Sequence, residues 1–248
     1  MESMSWELIY IVSGVLFLPV LLFAIIASIR VVVIIERYRQ VKATGNLTAR
    51  ELVQRIASEN QLNLRVEVAP ENMGDHYDPQ AKVIRLSSKI VDSNSISALA
   101  IAAHECGHAL QAAQNYAPLR WRNFVIRLSN FSSRLLTPLI IISLVASILT
   151  LGMAAEYYFD WLLLGFCIVY GLSALVSLIT LPTEFDASRR GKQMLEQMNL
   201  IDGEEERVAV NQVLGAAANT YVVAFALSML YFLRYLSYLM VLFGKDRD

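Results

Sequence analysis

The sequence predicts an α-helical integral membrane protein with about four transmembrane helices and a small α+β unit at one membrane face. Composition is the first sign. Of the 248 residues, 56% are hydrophobic and 17% charged, against about 45–50% apolar and about 25% charged in soluble domains. The second sign is that residues 8–29, 135–155, 161–181 and 208–233 carry no charge. Each run is long enough to cross a hydrocarbon core of about 30 Å as a helix. The third is where the basic residues fall. Arg30, Arg37, Arg39 and Lys42 end or follow the first run, Arg120, Arg122, Arg127 and Arg134 precede the second, and Arg189, Arg190 and Lys192 follow the third. The positive-inside rule places those segments in the cytoplasm of a multi-pass protein of the cell membrane. A net charge of −1 gives no basic footprint for nucleic acid, and two cysteines make no disulfide framework.

In chain order, residues 8–35 read as a retained anchor. Glu2 and Glu7 precede the run without a lysine or arginine, and the apolar stretch is too long for a cleaved signal. Residues 36–134 then form a cytoplasmic unit. Thr48 and Glu51 have capping-box spacing, and Ala49, Leu52, Val53, Ile56 and Ala57 recur on one helical face, predicting a helix over 48–60. Leu64, Val66 and Val68 alternate with Arg65 and Glu67 as a half-buried strand. Val83, Arg85 and Leu86 lie in a second strand, and the two are expected to pair antiparallel. Residues 70–79 between them read as a turn or loop, from their glycine, aspartates and prolines. Ser95 or Ser97 can cap an alanine-rich helix over 96–114.

Residues 135–181 make a transmembrane hairpin whose outer turn holds Glu156 and Asp160. Residues 182–207 return to the cytoplasm, with Pro182 and Thr183 starting a helix. The acidic patch at 202–206 suits the positive end of a last helix, which crosses the membrane over 208–243. Arg234 in that helix reads as a snorkelling residue among Tyr231, Tyr235 and Tyr238.

Chemistry concentrates at His104-Glu105-Cys106-Gly107-His108. Histidines at i and i+4 lie about one helical turn apart on one side, where two imidazoles can hold a single Zn²⁺. Glu105 beside them can take a proton from the zinc-activated water and pass it to a leaving amine. Two of the chain's three histidines sit in this one pattern. Ala100, Ala103 and Gly107 leave room for a substrate, or for another backbone, to come close. Cys106 points away from the histidines and reads as a small apolar residue.

Catalytic zinc ordinarily has a third protein ligand and one open position. Positions 111 and 114 are Gln111 and Gln114, so no third histidine follows nearby. Glu184, returned to the same membrane face by the hairpin, is the best candidate, with Asp186 and His76 as alternatives. Asp186 lies about 200° from Glu184 on a helix, so both cannot ligate easily. His76, in Asp75-His76-Tyr77-Asp78-Pro79, could instead donate to a developing oxyanion, or be a loop histidine fixed by its neighbours.

The stretches 75–79, 83–87, 102–111, 116–119, 182–190 and 213–221 together resemble the bacterial YugP-type family of membrane-bound neutral zinc metallopeptidases. The resemblance implies a zinc-dependent integral membrane peptidase with His104 and His108 as ligands, Glu105 as catalytic acid/base and Glu184 as third ligand. The motif order is more distantly similar to HtpX-type proteases and CAAX prenyl endopeptidases. Ser188 stands where that distant pattern has an aspartate that orients a ligand histidine, leaving Asp186 as a candidate for the role.

The expected protein is thus a membrane-embedded zinc metalloendopeptidase with a zincin-like (gluzincin-like) catalytic unit at the cytoplasmic face. It would act on a peptide or membrane protein, with the lipid bilayer as its other partner. The alternative is a non-catalytic membrane scaffold or regulatory protein with a closed structural zinc site, for example one completed by His76.

Overall fold

The computed structural model describes residues 2–149 and 155–245. The chain divides into two compact units, one of Ile26–Arg120 with Thr180–Thr220, the other of Met1–Ile25 with Trp121–Ile179 and Tyr221–Asp248. The elements in order are α1 (Glu2–Arg39), α2 (Ala49–Glu59), β1 (Arg65–Val68), β2 (His76–Asp78), β3 (Val83–Leu86), α3 (Ser88–Val91), α4 (Ile96–Ala113), α5 (Ala117–Leu149), α6 (Ala155–Gln197) and α7 (Gly203–Lys245). Among the described residues, three helices are long and apolar enough to cross a membrane: Trp6–Arg39, Phe159–Gln197 and Gly203–Phe243. The expected second span, 135–155, is helical as far as Leu149, and its part at 150–154 lies outside the described residues. Glu156 and Asp160 fall within α6 rather than in a turn.

The first unit is the mixed one. Helix α2 forms where its caps and periodicity place it. The Thr48 hydroxyl accepts from the Glu51 N–H at 3.2 Å, and the Glu51 carboxylate accepts from the Thr48 N–H at 2.8 Å. The buried residues of α2 are Ala49, Leu52, Val53, Ile56 and Ala57. They meet Ile84 and Leu86 of β3, Leu99 of α4, Leu195 of α6 and Val210 of α7 in one continuous core. Full burial of each large aliphatic side chain stabilises by about 2 kcal/mol. Ser95 caps α4, accepting from the Ala98 N–H at 3.3 Å. The acidic patch opens α7 as expected. Glu206 accepts from the Asp202 N–H at 2.8 Å, and its other oxygen accepts from the Thr44 N–H and hydroxyl at 2.9 Å.

The sheet corrects the sequence reading. Its order is β1-β3-β2, and β1 runs parallel to β3, not antiparallel. The antiparallel place beside β3 belongs to β2, a strand inside the stretch read as a loop. The cause is local to Asp78. Its carboxylate accepts from the N–H groups of Gln80 (2.9 Å) and Ala81 (3.1 Å), an Asx-type turn, while Lys82 takes a left-handed φ of 53°. Arg85 across the hairpin donates to the same carboxylate at 2.9 Å. That tight return seats β2 on one edge of β3 and leaves the other edge to β1.

A second correction concerns α6, which does not begin at Pro182 but runs through it. Proline removes one backbone hydrogen bond from a helix interior. Around it Thr180, Thr183, Glu184, Asp186 and Ala187 are all buried, so packing outweighs the local preference.

In the second unit, aromatic side chains of α6 and α7 stack. Tyr170 lies 4.7 Å from Tyr231 and 5.5 Å from Tyr235 between ring centroids, and Phe166 lies 5.3 Å from Tyr235. The Arg234 guanidinium rests 4.3 Å from the Tyr10 ring centroid and donates to the Tyr10 hydroxyl at 3.1 Å. Gly14 makes room for it, since a Cβ there would lie 2.6 Å from Arg234 Nη1.

The hairpin yields a pH prediction. The Ala81 N–H, then the Arg85 side chain, hold the Asp78 carboxyl below the usual aspartate range. A carboxyl shifted down contributes stability that is present above its unfolded pKa and lost as pH falls through the folded one. Asp78→Asn is therefore expected to lower stability by about 1 kcal/mol at neutral pH and to flatten the acid limb of stability below the usual aspartate range. Thermal unfolding of the detergent-solubilised protein across that range measures both effects.

Candidate metal centre

Two helices of the first unit build the site. α4 presents His104, Glu105 and His108, and α6 presents Glu184, Asp186 and Ser188. They can face one another because glycine stands at both points of contact. A Cβ on Gly107 would strike the Ala187 carbonyl oxygen and lie 2.9 Å from the Ala187 Cα. A Cβ on Gly191 would lie 2.9 Å from the Ala103 carbonyl carbon. The space at Gly107 is thus filled by the backbone of α6, one of the two occupants the sequence allowed.

At that distance Glu184, only 2% exposed, reaches both imidazoles. Its Oε2 lies 3.2 Å from His104 Nε2 and 3.5 Å from His108 Nε2, and the two rings stand edge to face at 4.7 Å. One donor atom from each of His104, His108 and Glu184 lies within 4.8 Å of the others, so the three could hold a metal ion. The fit can be tested by length. Ligand bonds of 2.0–2.1 Å in a tetrahedron set donors roughly 3.3 Å apart, close to the two measured separations. A carboxylate buried beside two imidazoles also suits a dication, which would offset the cost of burying its charge. The residues present fit zinc.

The remaining bonds hold the donors in place. His104 Nδ1 lies 3.1 Å from the Ser188 hydroxyl, and His108 Nδ1 lies 3.0 Å from Gln111 Oε1. Gln111, fully buried, donates to the Thr183 carbonyl at 2.8 Å and to Asp186 at 3.0 Å. Asp186 also takes Arg190 at 2.6 Å and Arg189. It lies outside the cluster of His104, His108 and Glu184, and its oxygens meet Gln111 and two arginines. Ser188, rather than Asp186, meets His104 directly.

Glu105 is 8% exposed. Burial pushes its carboxyl above the ordinary glutamate range, against the pull of His104 and His108 and the smaller pull of the Tyr77 backbone. Burial disfavours a charged His108, but Glu184 and Glu105 outweigh it and raise its pKa. The Cys106 thiol is pushed up by burial, fitting an inert apolar role. His76 stands apart from the cluster on β2. Its Nδ1 donates to the Gly74 carbonyl at 2.8 Å, and its Nε2 lies 3.4 Å from Arg85 Nη1.

The close approach is testable. Gly107→Ala and Gly191→Ala are each expected to destabilise by about 1–3 kcal/mol through overpacking and to weaken zinc retention. Gly74→Ala, where an added Cβ meets nothing within 4 Å, is the control. Zinc content after dialysis and thermal unfolding provide the readouts. Equal zinc retention in all three would show that the glycines do not set the site.

The chain is similar to known proteins. The chain is 37% identical over 214 residues to the "Putative membrane protease YugP" of Bacillus subtilis (strain 168), an overlap of 86% of this chain and 89% of that protein. No solved structure matches. The family model described as "Putative neutral zinc metallopeptidase" matches residues 13–240, a stretch that holds all three clustered donors, and the chain belongs to that family.

Proposed function

We propose that this protein is a membrane-embedded zinc metalloendopeptidase that hydrolyses peptide bonds of a peptide or membrane-protein substrate. The single observation that carries the proposal is the convergence of His104, His108 and the buried Glu184 on one point, with Glu105 beside them. Zinc bound there would polarise a carbonyl and make water a nucleophile at neutral pH. Glu105 takes the proton from the attacking water and delivers it to the departing nitrogen. Burial favours the first of these transfers, because a carboxyl pushed above its usual range is a stronger base toward the attacking water.

His76 is given no step. Its Nδ1–H is used by Gly74 and its Nε2 faces the Arg85 guanidinium, which favours a role in fixing β2 over donation to an oxyanion. The same bonds count against the form of the scaffold alternative in which His76 completes a closed site. The distribution of basic residues supports a multi-pass placement with this site at the cytoplasmic face.

Glu105→Gln is expected to keep zinc and lose roughly 10²–10⁴-fold of the hydrolytic rate, while His104→Ala loses both. Metal analysis of the purified variants, with comparative proteomics of membranes carrying wild type or Glu105→Gln, makes the test. Cleavage retained by Glu105→Gln would sink the mechanism.

A further inference from the structure

We propose that Gln111 is a positioning residue that locks His108 in its Nδ1–H tautomer and so leaves Nε2 as the metal-binding atom. The inference rests on the metal reading above and deepens it. A glutamine amide can ordinarily be turned over, exchanging its oxygen and nitrogen, and the choice is made by its partners. Here the partners allow one choice. A backbone carbonyl has no proton to give, and Thr183 O lies 2.8 Å from the amide. Asp186, which accepts from Arg189 and Arg190, is an acceptor as well, at 3.0 Å. Both must face the NH₂ group, so Oε1 must face His108 at 3.0 Å. Oε1 only accepts, and Nδ1 must therefore carry the proton. His108 Nε2 is then left with its lone pair on the side of Glu184 Oε2.

His104 is held differently. Its Nδ1 partner is the Ser188 hydroxyl at 3.1 Å, and a hydroxyl can donate or accept. Ser188 positions that ring without dictating its tautomer. The two ligand histidines are thus unequal. The reading also gives Asp186 and its two arginines a purpose: they hold the carboxylate that fixes the amide, one step behind the ligand. A histidine with no partner at either nitrogen favours the Nε2–H form, which would present a proton where the metal must bind.

The test uses the full-length protein in detergent with ¹⁵N-labelled histidine. The chain has three histidines, so a two-bond ¹H–¹⁵N spectrum can be assigned with single-histidine variants. At alkaline pH without metal, wild type is expected to show His108 protonated at Nδ1 alone. In Gln111→Met, of similar size but without the amide, that signal should give way to a mixture, with zinc affinity down about 10–100-fold. Ser188→Ala should leave the His108 signal unmoved. A proton on Nε2 of His108 in wild type, or zinc affinity in Gln111→Met equal to wild type, would overturn the assignment. If Gln111→Met does not fold, the wild-type spectrum still decides. Wild type that shows the Nδ1–H form but takes up no zinc would defeat the functional reading and leave the tautomer assignment standing.

Discussion

Two helix backbones meet with no side chain between them, at Gly107 of α4 and Gly191 of α6, and the site depends on that contact. Packed helices ordinarily keep their axes 8–10 Å apart, at a distance set by the side chains in between. Glycine at the contact removes that spacer. Only then can a glutamate on one helix put a single oxygen 3.2 and 3.5 Å from two imidazole nitrogens on the other. Fixing both helices is the work of the core around Leu52, Ile84, Leu99, Leu195 and Val210, which anchors α4 on one side and the end of α6 on the other. The hydrophobic core supplies position, and the glycines convert that position into contact between polar groups.

That contact places a carboxylate, two imidazoles, an amide and a second carboxylate out of water together. Burying such groups costs several kcal/mol each unless every one has a partner. Among the described residues no buried side-chain nitrogen or oxygen is left without one. The chain reaches that state by dividing the work. Glu184 faces the imidazole edges, Asp186 faces the arginines, and Gln111 joins the two sets by giving its protons to α6 and its oxygen to His108. Two carboxylates on one stretch of α6 therefore serve opposite ends: Glu184 meets the two imidazoles, and Asp186 is spent in holding the frame.

How far the sequence discloses this depends on the range of the interactions involved. α2 was legible because its capping box and its buried face lie within a dozen residues of one another, and the same holds for the Ser95 cap of α4. The cluster of His104, His108 and Glu184 was legible because the two histidines declare themselves by spacing, and because the apolar runs between them and Glu184 require the chain to return. Parallel pairing of β1 and β3 was not legible. It follows from β2 taking the antiparallel edge, and β2 is a His-Tyr-Asp strand with no aliphatic alternation to mark it. Passage of α6 through Pro182 was hidden as well, since the packing that overrides the proline comes from distant segments. Gln111 was visible only as the absence of a histidine, and Ser188 only as the absence of an aspartate. Gln111 proves to contact the His108 ring, and Ser188 the His104 ring.

The sheet has a part that the helices alone could not play. β2 is an edge strand, so one side of its backbone is free of ladder partners. β2 packs against α4, and the Tyr77 backbone favours the charged form of Glu105, which stands between the two histidines. Glu105 thus lies under the influence of β2, whereas the imidazoles are held from α6 and, through Gln111, from α4 itself. The two neighbours are built from different segments: a hairpin held by Asp78 and Arg85 on the side of β2, and a glycine-spaced helix pair on the side of α6. The fold therefore approaches the five-residue stretch 104–108 from two sides.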